Sequence, residues 1–124
     1  MIEGSACDKF FDIIIVGGSF SGLTTAISMA IDKKIKIAVI DKQDFVNKER
    51  SNDGKALAIS NHSIDFLKKI SAIDDQLLEN SAPILDIKIT DNQSPITLDF
   101  IGSKNSNNQA FGFIISSFDL YNQL

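Results

Sequence analysis

The chain has 124 residues, of which 44% are apolar and 23% charged, so it is long enough for one compact domain and unlike a disordered chain. Its net charge of −4 argues against non-specific nucleic-acid binding, which depends on clustered Lys and Arg. No apolar stretch approaches the roughly 18 residues of a membrane helix, and we expect no secretory signal in the polar residues 1–9. A lone cysteine, Cys7, excludes an intrachain disulfide and fits a reducing cytoplasm.

The first three elements are predicted to form a βαβ unit. The run Phe11–Val16 is apolar and β-branched and ends at glycines, which is typical of a strand buried on both faces in a parallel sheet. Apolar residues at helical spacing then predict a helix over Ser21–Asp32, and Ile35–Ile40 predicts a second strand. The two strands should be parallel and joined by a right-handed crossover.

The remainder of the chain mixes short helices with antiparallel strands. A helix should begin at Ser60 or Asn61, either of which can cap it, and run to Ile70. Turn residues between two segments of alternating apolar and polar residues predict a hairpin with one face exposed to solvent. In chain order we predict a loop over Lys42–Lys55, a strand over Ala56–Ile59, this helix, a helix over Ile73–Asn80, hairpin strands over Ile84–Thr90 and Ile96–Phe100 around the turn Asp91–Pro95, a flexible loop over Gly102–Gln109, a strand over Phe111–Ser116 and a helix starting at Phe118.

The turn between the first strand and helix carries a dinucleotide-binding pattern. That pattern wants glycine at its first, third and sixth positions, which here are Gly17, Ser19 and Gly22. Gly17 would make the tight turn, Gly22 would allow close helix packing, and the backbone of Gly18 and Ser19 would approach a pyrophosphate. Phe20 and Ser21 complete the segment, where the helix N-terminus offers amides and a partial positive charge.

An acid at the end of the second strand supports this interpretation. Asp41 lies 24 residues after Gly17, about where an acid meets the ribose hydroxyls of a dinucleotide. The neighbouring Lys42 is included among the candidate cofactor-binding residues. The alternative is a glycine-rich turn that binds nothing and an ordinary loop aspartate. His62 has no ligand partners at metal spacing and is interpreted as a surface or cap residue.

Three stretches resemble the flavin-dependent aromatic hydroxylases, most closely those of ubiquinone biosynthesis. They are Asp12–Gly22, similar to the family's ADP-binding strand and turn; Asp53–Ser60, similar to its D-x-R-A-x-A-L-S segment; and Phe111–Leu124, similar to a later strand and helix start. The resemblance implies a Rossmann-like α/β domain that binds FAD, a monooxygenase activity and NAD(P)H as the reductant. Lys55 stands where the family prefers Arg and is the matching cofactor contact.

The resemblance also sets the expected domain organisation. Residues 1–124 would form a partial FAD-binding domain, in which 10–60 hold the βαβ unit and its following loop and 83–116 hold antiparallel strands of the family's first insertion. The family's later DG and GD segments lie beyond residue 124, so the sequence resembles only the N-terminal third of such an enzyme.

A partial domain predicts particular partners and a limited activity. We expect a complementing C-terminal polypeptide or self-association through an exposed strand edge, no catalytic residue in this chain and no hydroxylation by it alone. The alternative is a non-catalytic fragment or accessory nucleotide-binding piece. The expected location is the cytoplasm, and peripheral association with the inner membrane is the alternative.

Overall fold

A computed structural model describes residues 10–43, 52, 54–91, 95–102 and 110–124. The chain divides into two compact units, Met1–Lys48 and Glu49–Leu124. Cys7, Asp53 and most residues of the predicted loops and hairpin turn lie outside the described residues.

The first unit is a βαβ unit, as predicted. Strand β1 (Ile13–Val16) and strand β2 (Ile37–Ile40) are parallel, and helix α1 (Phe20–Ala30) connects them. The helix ends earlier than predicted because Asp32 joins a turn, in which its carboxylate accepts the Lys34 amide at 3.1 Å. The chain is therefore mixed α/β.

Among the described residues of the first unit, helix α1 covers one face of the two-stranded sheet. The Ile15 side chain lies on the α1 side, close to Gly22. The other face exposes 56% of Ile14, 83% of Val16 and 53% of Ile40. The prediction that β1 is buried on both faces was wrong for this chain, because the described part of the first unit supplies a single helix against two faces.

The second unit combines antiparallel strands with three helices. Its elements are β3 (Ala56–Ser60), α2 (Asn61–Lys69), α3 (Asp75–Glu79), β4 (Ala82–Ile84), β5 (Asp86–Thr90), β6 (Thr97–Ile101), β7 (Gly112–Ser116) and α4 (Ser117–Gln123). One sheet has the order β3-β7-β4, and β5 and β6 form a separate hairpin. The predicted hairpin is confirmed, but its first strand is split at Leu85, because β4 pairs with β7 whereas β5 pairs with β6.

The buried apolar core among the described residues lies in the second unit. Ile115 in β7 is fully buried and Leu120 in α4 is 2% exposed. The same core contains Ile64, Leu67, Ile70, Ala72, Ile73 and Leu77.

A side-chain cap marks the start of each helix in the described part of the second unit. At the start of α2 the Ser60 hydroxyl accepts the Ser63 amide, which settles the choice between Ser60 and Asn61.

Candidate nucleotide-binding turn

The turn after β1 begins at a residue whose backbone favours glycine. Gly17 has a φ of +110°, in the left-handed region that side chains disfavour, and its amide donates to the Ile40 carbonyl at 2.7 Å. A Cβ at this position would meet no atom within 4 Å. The requirement for glycine is therefore conformational rather than steric.

The requirement for glycine at Gly22 is steric. A Cβ there would lie 1.9 Å from the carbonyl oxygen of Gly17 and 3.6 Å from Cγ2 of Ile15. Because the closest atom belongs to the backbone, no rotamer change could relieve the clash. The absent side chain thus lets the first turn of α1 pack directly on the glycine turn.

The N-terminus of α1 follows this turn. Ser19 is the N-cap residue with extended backbone angles, and its carbonyl accepts the Leu23 amide at 2.9 Å. Its hydroxyl makes no capping hydrogen bond, and the first turn of α1 holds no acidic residue. A helix N-terminus carries a partial positive charge, because its first amides have no acceptor within the helix itself.

Asp41 joins the end of β2 to the glycine turn. Its Oδ2 accepts the Gly18 amide at 2.6 Å and its Oδ1 accepts the Gln43 amide at 2.8 Å. These bonds, first that from Gln43 and then that from Gly18, lower the pKa of the Asp41 carboxyl. The group is a carboxylate at neutral pH, and it holds the turn in place.

The Asp41 bond changes how the turn can meet a ligand. The Gly18 backbone was expected to approach the pyrophosphate. Its amide instead donates a hydrogen bond to the Asp41 carboxylate, and Gly18 is buried. A carboxylate has about four lone-pair sites, so Asp41 keeps acceptor capacity beyond these two bonds. This hydrogen bond was missed at the sequence level, since its two partners lie 23 positions apart and no local pattern signals it.

The predicted cofactor residues fall into two groups. The segment Gly17–Gly22 meets Asp41, which Lys42 follows, in one corner of the first unit. Lys42 is exposed, and its charge helps to lower the pKa of Asp41. Lys55 belongs to the second unit, where its carbonyl accepts the Ser117 amide at 2.9 Å.

Other kinds of site were also sought in the described part of the chain. His62 is exposed in the first turn of α2, as expected of a surface residue. The described residues contain no group of three His, Cys, Asp or Glu side chains that could hold a metal ion. None of the helices described is both long enough and apolar enough to cross a membrane.

Comparison with known proteins gives one informative similarity. The sequence matches no protein-family model. It is 37% identical over 100 residues to the ubiquinone hydroxylase UbiL of Rhodospirillum rubrum. The match covers 80% of this chain but 23% of that protein, so the chain spans about a quarter of the length of the curated relative it matches.

Proposed function

We propose that this chain binds the ADP half of FAD and acts as the N-terminal, Rossmann-like segment of a flavin-dependent hydroxylase of ubiquinone biosynthesis. The similarity to a ubiquinone hydroxylase supports the reaction class. The observation that carries the cofactor proposal is the glycine turn, where Gly22 leaves no room for a Cβ and Asp41 is bonded to Gly18.

The residues of the turn fit an ADP group. The amides from Ser19 to Gly22 at the start of α1 would meet the pyrophosphate, since a helix N-terminus favours anions. The remaining lone pairs of Asp41 would accept the ribose hydroxyls, and the neighbouring Lys42 would contribute positive charge beside it. When bound, flavin supplies the reaction of reduced cofactor with oxygen, after reduction by NAD(P)H; this chain binds and orients one end of it.

Titration calorimetry with FAD and with ADP tests the cofactor proposal. Replacing Gly17 or Gly22 with Val should abolish binding, the first through its left-handed backbone and the second through the clash with the Gly17 carbonyl. Ala30→Val, which adds similar bulk at the far end of α1, is the control and should bind normally. Far-UV circular dichroism checks that each variant is folded.

Two results would refute the role of the turn. One is an unaltered affinity in a folded Gly22→Val variant. The other is an equal loss of affinity in Ala30→Val, because that residue lies outside the turn.

We further propose that hydroxylation needs polypeptide beyond the part described here. The relative is about four times longer than its match with this chain, and the open face of the β1–β2 sheet, with Ile14, Val16 and Ile40, is typical of a sheet that a second layer covers. The alternative is a non-catalytic nucleotide-binding piece. If the chain is the N-terminal segment of a hydroxylase, coexpression with a complementing polypeptide should raise its solubility and its flavin content together. If it is a non-catalytic piece, coexpression should leave both unchanged.

A further inference from the structure

The β5–β6 hairpin carries an apolar face that the described residues leave largely open. Register pairs Ile87 with Phe100 and Ile89 with Leu98, so these four side chains lie on one face, which we call the hairpin face. The exposed fraction is 39% for Ile87, 42% for Phe100, 53% for Ile89 and 54% for Leu98. Next to them, Ile96 is 77% exposed.

The opposite face of the hairpin is polar. It pairs Lys88 with Asp99 and Thr90 with Thr97, and all four residues are exposed. One side of the hairpin is therefore suited to water and the other to burial. At one end of the hairpin face, Phe100 meets Phe111 edge-on at 6.4 Å between ring centroids.

A two-stranded hairpin with an open apolar face is marginal in water and is stabilised by a covering layer. The four side chains and Ile96 present on the order of 500 Å² of apolar surface, near the upper end of what monomers expose. Burying two such faces together would remove roughly 1,000 Å² from water, which meets the lower limit of a specific interface.

We propose that the hairpin face is a homodimer interface and that its occupant is the hairpin face of a second copy of this chain. The two hairpins would stack as a small sandwich with the sheets about 10 Å apart. The polar faces would then point outward on both sides. This inference goes beyond nucleotide binding and does not depend on it.

Charge favours this occupant. The hairpin face carries no charged side chain, so a twofold pairing sets no like charges against one another. Lys88 and Asp99 would stay on the outer surfaces. The association should therefore be driven by apolar burial and persist at high salt, whereas a charge-driven contact would weaken.

Sedimentation equilibrium of the unaltered chain without nucleotide tests the proposal. The expected species has twice the monomer mass of 13.6 kDa at both low and high salt. Ile89→Lys should raise the dimer dissociation constant at least about tenfold, because it places charges in the apolar layer. Thr90→Lys is the matched control, since it adds the same charge one residue along on the polar face, and it should leave the constant nearly unchanged.

A second variant guards against local unfolding. Leu98→Thr keeps a strand-favouring residue but removes apolar area, and it should also weaken the dimer while the circular dichroism spectrum is retained. A monomeric unaltered chain would overturn the proposal. So would a dimer that Ile89→Lys leaves intact, which would point to the edge of β1, or one that Thr90→Lys weakens equally. Because no nucleotide is present, none of these results bears on FAD binding.

Discussion

Ser71 is a non-glycine residue in the left-handed region, with a φ of 57° directly after α2. The Ser71 amide donates to the Lys68 carbonyl and the Ala72 amide donates to the Leu67 carbonyl, both at 2.9 Å. This pair of bonds is the Schellman ending of a helix, in which glycine usually occupies the place of Ser71. Because no glycine stands at this position to signal the ending, this geometry was not predicted.

Ser71→Gly should therefore stabilise the protein by about 1 kcal/mol, because glycine adopts this conformation without a Cβ penalty. Urea unfolding followed by circular dichroism measures the change. Ser63→Gly is the matched control inside α2 and should lower the free energy of unfolding instead. An equal or lower stability of Ser71→Gly would show that the serine side chain matters more than the backbone.

Ser19 stands where the dinucleotide pattern prefers glycine. Its hydroxyl makes no capping bond, so removing it should leave the start of α1 intact. Ser19→Gly should bind FAD or ADP no worse than the unaltered chain in titration calorimetry. A tenfold loss, equivalent to about 1.4 kcal/mol, would mean that the hydroxyl contacts the ligand.

Asp74 links the start of α3 to the end of α4. Its carboxylate accepts the Gln123 side-chain amide at 2.8 Å and the Leu77 amide at 3.0 Å, and its own amide donates to Gln123 Oε1 at 2.9 Å. The Gln123 bond, followed by the Leu77 bond, lowers the pKa of Asp74. A carboxyl whose pKa is lower in the folded state contributes stability above its ordinary pKa of about 4 and loses it as pH falls through the folded value.

Asp74→Asn should consequently reduce the loss of stability on acidification. The variant should be less stable than the unaltered chain at neutral pH, and the two should converge as the pH falls below about 4. Urea unfolding over a pH series checks this. A constant difference at all pH values would show that the charge of Asp74 plays no part.

At the scale of elements, β7 depends on a glycine that no turn requires. A Cβ on Gly112 would lie 2.1 Å from the Ile59 carbonyl oxygen, across the pairing of β3 with β7. Gly112→Ala should destabilise the second unit by about 1–3 kcal/mol, the usual cost of overpacking. Ala58→Ser, on an exposed site of the same sheet, is the control and should change the midpoint of urea unfolding little. A Gly112→Ala variant with the same midpoint as the unaltered chain would contradict the packing described.

The elements themselves were largely predictable because their patterns are local. Apolar runs, capping residues and turn clusters located β1, α1 and the hairpin, and they limited the cap of α2 to Ser60 or Asn61. Pairings between distant segments were less accessible: alternation over Ile84–Thr90 cannot show that β4 joins β7 while β5 joins β6. For the candidate site, glycine spacing indicated the turn, but the bond from Gly18 to Asp41 depends on strand register, which sequence does not give.

At the scale of the whole molecule, apolar burial is uneven. The buried apolar side chains among the described residues belong to the second unit, whereas β1 and β2 leave Ile14, Val16 and Ile40 exposed. If this chain binds only the ADP half of FAD, as proposed, the flavin ring would be left open to water, in which reduced flavin loses its electrons to oxygen unproductively.

We accordingly expect no coupled hydroxylation by this chain alone. Oxygen consumption with NAD(P)H, FAD and a quinone precursor should yield no hydroxylated product. A monomer that held FAD stoichiometrically and formed product in proportion to the reductant consumed would contradict this expectation.

The central claim is that the start of α1 binds the ADP half of FAD. Titration of the isotope-labelled chain with ADP, followed by two-dimensional amide NMR, tests it most directly. We expect saturable shifts of the Ser19–Gly22 amides and of the Gly18 amide, which donates to Asp41, with the core residues of the second unit unmoved. An absence of shifts at millimolar ADP, or shifts confined to the second unit, would contradict it.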